Sequence, residues 1–376
     1  MLESRQRQRV RVPWAIAALA GGMCLTAIAA PEGGGRLQGG NPGPRLPIFE
    51  VDPNWPRVPA KWRLGEVSSV SVDAGDNVWV LHRPRTLTGA DAEQAAPPVL
   101  RFDSEGHLLS AWGGPSADYE WPEREHGIYA DPLGFVWIGG FNCPTSGQPG
   151  LRPVADDQLL KFTAEGRFVL QIGRSNQSTG NADTTNLHRP ADQTLHRPTN
   201  ELFVADGYGN HRVAVFDADT GRFKRMWGAF GRPPVDDDQC RVVNPTSFSD
   251  PGPPQFSIVH AIRISTDGLV YVADREFRRI QVFTVGGEFV KQLVRTEERF
   301  ARALAFSPDP DQQWLYVGGG KGIVVLDRQS LAVVGTVLPP GALPVSHHIA
   351  SDSRGNLYIA ASESGLQKLA VKGHRP

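Results

Sequence analysis

Short runs of alternating hydrophobic and polar residues recur along the chain, with glycine, aspartate, asparagine and serine between them. Alternation with a period of two predicts β-strands, and the Asp-Gly pair in "STDGLVYVAD" predicts a tight turn between two of them. One aromatic residue marks the same place in each of six such units, about 40 to 70 residues apart. These residues are Trp79, Trp137, Phe203, Tyr271, Tyr316 and Tyr358.

Further strand-like motifs follow each marker aromatic, such as "VAVFD" and then "GRFKRMWG" after Phe203. Units of four short strands at this spacing predict an all-β fold, a six-bladed β-propeller. The last unit lacks a fourth strand, and "PIFEVD" at 47–52 can supply it, which closes the ring and removes exposed edges. We therefore predict a propeller over 47–373; a miscount to five or seven blades is the alternative. Its blades span approximately 64–115, 122–175, 188–232, 256–296, 299–339, and 345–373 with 47–52.

The N-terminus has the pattern of a targeting segment. A basic stretch, "RQRQRVRVP", precedes an uncharged apolar run from Trp14 to Ala30, and small residues offer a cleavage site near Ala29 or Ala30. We expect residues 1–30 to be a signal peptide and the protein to be exported, periplasmic or secreted, with a retained N-terminal anchor as the alternative. The stretch 31–46, rich in glycine and proline, is expected to be a flexible linker.

Net charge and cysteine content limit which binding partners and which disulfides can be expected. The formal net charge of −1 gives no electrostatic basis for binding nucleic acid or a membrane surface. We expect a monomer that binds a small-molecule or peptide substrate. Cys143 and Cys240 have no motif around them, so we expect two separate thiols; a disulfide between them is the alternative outside the cytoplasm.

Histidines occupy one repeated position in alternate blades. The first strands of blades two, four and six begin with His126, His260 and His347, whereas the matching positions of blades one, three and five hold Ser68, Ala191 and Arg302. A sixfold ring places alternate blades about 120° apart, so three imidazoles would converge on the axis. Three histidines with one open position are typical of a catalytic zinc site, although imidazole also suits Cu, Fe or Ni. The alternative is that each is a polar strand residue with no ligand.

Three other side chains fall at the ends of second strands, on the same face of the ring. They are Arg83, Tyr208 and Arg275. Tyr208 stands in a glycine-rich turn that can aim its hydroxyl at the channel mouth, and the two guanidinium groups can bind a carboxylate or an oxyanion. The alternatives are salt bridges between blades for the arginines and rim packing for the tyrosine.

These motifs resemble those of the NHL-repeat propellers and, more closely, of the peptidyl-α-hydroxyglycine α-amidating lyases (peptidylamidoglycolate lyases). The resemblance covers roughly Leu64 to Leu369. Its most specific stretches are "LHR" at 81–83, "HGI" at 126–128, "VADGYGNHRV" at 204–213, "QFSIVHAIRI" at 255–264 and "VADREFRRIQVF" at 272–283.

The resemblance implies roles for the residues that match the family's motifs. His126, His260 and His347 match its three zinc ligands. Tyr208 matches its catalytic tyrosine, Arg83 the arginine beside the metal, and Arg275 another active-site arginine.

The chain departs from the family at several positions. The family's structural calcium uses two main-chain carbonyls, here those of Val70 and Ile128, and an aspartate whose position is occupied by His348. A neutral imidazole is a poor ligand for Ca²⁺, which counts against calcium. Gly209 and Tyr271 stand where two of the family's disulfide cysteines would be, and Val345 replaces a methionine. We also expect no monooxygenase domain to prepare the substrate.

The reaction implied is cleavage of the N–C bond of a carbinolamide, peptidyl-α-hydroxyglycine, to a peptide amide and glyoxylate. Tyr208 would be the general base, Arg83 would hold the carboxylate, and the metal would act as a Lewis acid. Two alternatives stay open: a non-catalytic NHL propeller that binds proteins or peptides, and a lactonase-like metal-dependent hydrolase.

Overall fold

The computed structural model describes residues 46–148, 150–236, 248–297 and 300–375. Within these ranges the chain forms six antiparallel sheets of four strands each, which confirms the predicted six-bladed β-propeller. The predicted signal peptide, the linker up to residue 45 and Cys240 lie outside the described residues.

The first three blades follow one another along the chain, and each runs from its innermost strand to its outermost. Blade one consists of β2 (Glu66–Val72), β3 (Val78–Arg83), β4 (Val99–Phe102) and β5 (Leu108–Trp112). Blade two consists of β6 (Glu125–Ala130), β7 (Phe135–Gly140), β8 (Leu159–Thr163) and β9 (Phe168–Ile172). Blade three consists of β10 (Asp192–His196), β11 (Glu201–Asp206), β12 (Arg212–Asp217) and β13 (Phe223–Trp227).

The last three blades repeat this order, except that the sixth takes its outer strand from the beginning of the propeller. Blade four consists of β14 (Val259–Ile264), β15 (Leu269–Asp274), β16 (Arg279–Thr284) and β17 (Phe289–Val294). Blade five consists of β18 (Ala303–Phe306), β19 (Trp314–Gly318), β20 (Ile323–Asp327) and β21 (Val333–Val337). Blade six consists of β22 (His348–Ser351), β23 (Leu357–Ala360), β24 (Leu366–Arg375) and β1 (Leu46–Val51).

The N-terminal strand closes the ring, as predicted. β1 pairs antiparallel with β24, with Leu46 opposite Arg375 and Val51 opposite Leu369. The innermost strands contact one another in turn, from β2 through β6, β10, β14 and β18 to β22, which contacts β2 again. In the closed ring, the six innermost strands surround one axis, and equivalent residues at their starts lie at a similar level along it.

Helical structure in the described ranges is confined to short connections. These are one turn of α-helix, α1 (Ala90–Glu93), and 3-10 turns at Pro84–Thr86, Arg197–Thr199 and Ala229–Gly231. None of the described helices has the length and apolar character that crossing a bilayer requires.

The expectation of separate thiols is wrong for Cys143. This residue is disulfide-bonded, and its sulfur lies in a nearly buried part of the connection between β7 and β8. The lack of a cysteine motif was a poor guide because a disulfide depends on the spatial approach of two loops, which local sequence does not encode.

Candidate metal centre

A β-bulge redirects the chain where the predicted histidines stand. In blade four, Val259 lies opposite Asp274 and Ala261 lies opposite Ala273, so His260 is the extra residue between two ladder pairs. A similar irregularity lies between Glu125 and Ile128 in blade two and contains His126. Bulges re-aim a side chain that regular alternation would direct elsewhere. The bulge therefore explains how a residue of the innermost strand turns towards the other blades.

The three imidazoles are held in one orientation by a threefold pattern of hydrogen bonds. Each Nδ1 bonds to the main-chain carbonyl oxygen at the matching position of the next blade. The pairs are His126 with Ala191 (2.7 Å), His260 with Arg302 (2.6 Å) and His347 with Ser68 (2.6 Å). A carbonyl can only accept, so each Nδ1 carries the proton and each Nε2 keeps a lone pair for a ligand.

The cluster is suited to binding a metal ion, and without an ion the hydrogen-bonding capacity of its imidazole nitrogens is not fully used. His126, His260, His347 and His348 are buried, and their ligand atoms all lie within 4.8 Å of one another. Burial and the neighbouring imidazoles lower the pKa of His126 and His260 well below the usual range, which keeps both rings neutral. His260 Nε2 has no hydrogen-bond partner. Buried neutral imidazoles are the donor set that Zn²⁺ and related ions prefer.

Tyr208 lies against this cluster rather than on an outer rim. Its hydroxyl bonds to His126 Nε2 at 2.9 Å and accepts a hydrogen bond from Arg275 Nη1 at 2.9 Å. Its ring packs against Phe141, with 4.7 Å between the ring centroids. The phenol oxygen thus joins the predicted metal ligand to a guanidinium group, and the predicted Tyr208 and Arg275 are brought together.

Arg83 reaches the same region but is anchored by the protein. Its Nε donates to the Glu125 carbonyl oxygen at 2.8 Å, and its Nη1 pairs with Glu66 at 2.5 Å. The guanidinium also lies 4.9 Å from the centre of the Phe141 ring. The alternative of a salt bridge between blades is not what forms, because Glu66 belongs to the same blade. The contacts of Arg83 with blade two are those with the Glu125 carbonyl oxygen and the Phe141 ring.

A cavity opens beside Arg83 and His347. Its volume is about 330 Å³, and its wall includes Arg83, Arg124, Arg302, Glu66 and His347. Three arginines face two glutamates, Glu66 and Glu363, on this wall, so the recess beside the histidine cluster keeps a small excess of positive charge. Such a recess is suited to a small carboxylate.

The residues at the implied calcium position do not fit Ca²⁺. Val70 and Ile128 are regular members of β2 and β6, opposite Val80 and Ile138. His348, which replaces the family's aspartate, offers nitrogen instead of carboxylate oxygen. Burial and the positive charge of Arg263 lower the pKa of His348 to about 3, and that charge also repels a second cation. A hard, oxygen-seeking ion is disfavoured in these surroundings.

Sequence patterns did not identify two residues of the site. The resemblance places His348 at a calcium-ligand position, and strand alternation predicts that it faces away from its neighbour His347. Phe141, which contacts His126, Tyr208 and Arg83, follows β7 in a long connection without periodicity. Its only sequence signal was that this connection is unusually long.

The fold and the site together define the class of protein: a closed six-bladed propeller whose buried histidines, at the start of the innermost strands, form a candidate metal centre. No protein-family model matches the chain. Peptidyl-glycine alpha-amidating monooxygenase B of Xenopus laevis is 27% identical over 338 residues, which cover 83% of this chain and 34% of the relative. The chain thus spans about a third of the length of that protein.

Other curated relatives carry the two names that the motifs suggested. Peptidyl-alpha-hydroxyglycine alpha-amidating lyase 1 of Drosophila melanogaster is 25% identical, with 70% of this chain and 46% of the relative covered. NHL repeat-containing protein 3 of Mus musculus is 26% identical, with 63% of this chain and 57% of the relative covered. The resemblance to amidating lyases and NHL-repeat proteins is confirmed, at low identity.

Proposed function

We propose that this protein is an exported, metal-dependent lyase that cleaves peptidyl-α-hydroxyglycine, or a related small carbinolamide, to an amide and glyoxylate. The observation that carries the proposal is the Tyr208 hydroxyl, which bonds to both His126 Nε2 and Arg275 Nη1 at 2.9 Å. The names of the relatives favour the same chemistry. Export rests on the N-terminal sequence pattern alone.

The reaction needs a base for the hydroxyl proton and a binding site for the carboxylate. Tyr208 acts in its phenolate form, which the charge-assisted hydrogen bond from Arg275 stabilises, and it accepts the hydroxyl proton to become the phenol. Arg83, with Arg124 and Arg302 on the same cavity wall, holds the carboxylate of the substrate. His126, His260 and His347 would hold the metal, zinc by resemblance, and the bound ion would act as a Lewis acid on the substrate's oxygens.

The bond changes balance without an oxidant or reductant. As the hydroxyl proton leaves, the carbon–oxygen bond becomes the aldehyde of glyoxylate. The electron pair of the carbon–nitrogen bond goes to nitrogen, which takes up a proton and becomes the amide. The reaction therefore needs, besides the metal, only a residue that accepts and returns a proton and residues that hold the carboxylate.

The test is release of glyoxylate from a synthetic N-acyl-α-hydroxyglycine by the purified protein with its metal content measured. We expect turnover above the uncatalysed rate, loss of activity after chelation and recovery when a divalent metal is restored. A fully metallated protein that releases no glyoxylate would disprove the lyase. Turnover of lactones or esters in its place would favour the hydrolase, and a metal-free protein would favour a binding propeller.

A further inference from the structure

His347 and His348 are adjacent in the chain, yet both rings belong to the buried cluster. The His348 ring centre lies 5.3 Å from that of His126, 5.5 Å from that of His260 and 5.0 Å from that of His347. Among the three predicted ligands the corresponding separations are 4.7 to 5.0 Å. By position, His348 is as much a member of the cluster as the other three.

The backbone at the start of β22 explains how two neighbours reach one site. The amide of His347 donates to the Ala360 carbonyl oxygen, while His348 is the residue paired opposite Ala360. Two residues thus face one, which is the arrangement of a β-bulge, and the normal alternation of faces is interrupted. A bulge therefore makes room for a second imidazole beside His347.

The His348 ring has one nitrogen engaged and one without a partner. Its Nδ1 lies 3.2 Å from Ser69 Oγ, and the same oxygen accepts a hydrogen bond from the Ile128 amide. In the tautomer whose Nδ1 donates to Ser69, the Nε2 keeps its lone pair. Its Nε2 is buried and has no hydrogen-bond partner. A buried polar atom in that state is destabilising unless a ligand satisfies it, and a metal ion would do so here.

The ring separations also fit four ligands around one ion. Imidazoles with metal–nitrogen distances of about 2.1 Å in a tetrahedral arrangement have ring centres about 5 Å apart. The observed separations, from 4.7 to 5.5 Å, bracket that value.

We propose that His348 is a fourth imidazole ligand of this metal centre. The inference rests on the metal centre of the proposed function, but not on the substrate. Four nitrogens complete a tetrahedron, so a centre that also binds substrate must take five or six ligands. That requirement shifts preference from Zn²⁺ towards Fe²⁺, Co²⁺, Ni²⁺ or Cu²⁺.

The experiment compares the full chain with its His348→Ala and His348→Gln variants. Each is stripped of metal and titrated with Co²⁺ and Zn²⁺ against a chromophoric chelator. The visible spectrum of the Co²⁺ form is recorded because its intensity rises as the coordination number falls. His107→Ala is the control, since that exposed ring pairs with Asp103 and lies outside the cluster. Folding of every variant is checked by thermal unfolding. If the His348→Ala variant does not fold, the His348→Gln variant still fills most of the space of the imidazole and serves for the comparison.

Loss of a group that only orients a ligand costs about 10- to 100-fold in metal affinity, so loss of a direct ligand should cost at least as much. We expect that loss in both His348 variants, a stronger Co²⁺ absorption than in wild type, and no change in His107→Ala. Unchanged affinity and spectrum would overturn the proposal and leave a three-histidine centre. A wild-type protein that binds metal through four nitrogens but releases no glyoxylate would reject the lyase activity and leave this inference standing. A wild-type protein that binds no metal would reject both.

Discussion

At the scale of single residues, close packing of the backbone explains why Tyr208 stands between glycines. A Cβ at Gly207 would lie 2.2 Å from the Val259 carbonyl oxygen, and one at Gly209 would lie 1.8 Å from the His188 ring. His188 is itself fixed by Asp157 at 2.6 Å. The glycines let the turn pack closely against blade four and His188, and the tyrosine between them is held against the histidine cluster.

Replacement of Tyr208 by phenylalanine separates catalysis from packing. The phenylalanine ring keeps the contact with Phe141, so we expect normal folding and normal metal content. Turnover should fall by about 10²- to 10⁴-fold, the usual contribution of an acid–base group. Steady-state rates of glyoxylate release from metal-loaded protein measure this. Equal rates in the two proteins would make the tyrosine structural, and the base would have to be sought elsewhere.

His82 gives a prediction for stability against pH. Its Nδ1 accepts from the Gly65 amide and its Nε2 lies 3.0 Å from the Pro97 carbonyl oxygen, so the buried ring is neutral. Burial lowers its pKa from 6.5 to about 4. Between these values the unfolded chain binds more protons, so the free energy of unfolding falls as the pH is lowered from 6.5 towards 4.

The matched variant is His82→Gln, whose amide can make both hydrogen bonds without titrating. We expect its stability to decline less steeply than that of wild type between pH 6.5 and 4, by up to about 3 kcal/mol at the acid end. Urea unfolding at several pH values, with metal content held equal, measures the difference. Parallel pH profiles would contradict a neutral, proton-excluding His82.

At the scale of elements, an aspartate after a first strand fixes the following turn and the marker aromatic. Asp131 accepts from the amides of Leu133 and Phe135 and from Trp137 Nε1, each at 2.9 Å. Asp73 bonds to Trp79 in the same way at 3.0 Å. The repeated aromatic that revealed the blades in the sequence is thus part of a recurring hydrogen-bonded turn as well as of the core.

Asp131→Ala should lower the free energy of unfolding by about 2–4 kcal/mol because the buried Trp137 indole loses its acceptor and two part-buried amides of the turn lose theirs. Asp217→Ala is the control, since its bonds to Thr220 are exposed, and it should cost less than about 1 kcal/mol. Chemical denaturation of both variants gives the comparison. Equal losses would mean that burial of the turn adds nothing to its stability.

The strands and their connections also show which parts of the fold and of the site can be predicted from the sequence alone. Period-two alternation and the repeated aromatics predicted the blades, and the recurrence of His126, His260 and His347 predicted their convergence. Alternation failed for His348 because two residues of a bulge share one partner, Ala360. The disulfide of Cys143 was missed since loop approach in space leaves no local pattern.

At the scale of the whole molecule, the propeller depends on a strand from the other end of its sequence. β1 covers the outer edge of β24, and its Phe49 is buried with its ring centre 6.3 Å from that of Tyr316 in blade five. The strand therefore satisfies an open edge and also joins blade six to its neighbour. Closure of this kind holds all six innermost strands, and hence the histidines, in register.

Phe49→Ala tests whether that closing strand stabilises the ring. Removal of a buried phenylalanine side chain costs about 3–5 kcal/mol, whereas Ile48→Ala, on the exposed face of the same strand, should stay within about 1 kcal/mol. Thermal unfolding of the two variants compares these costs directly. Because the histidines proposed to bind the metal come from blades two, four and six, an opened ring should also weaken metal binding in Phe49→Ala at temperatures near its transition. If Phe49→Ala and Ile48→Ala unfold alike and bind metal alike, the strand only caps an edge and the ring is held closed by contacts between the innermost strands.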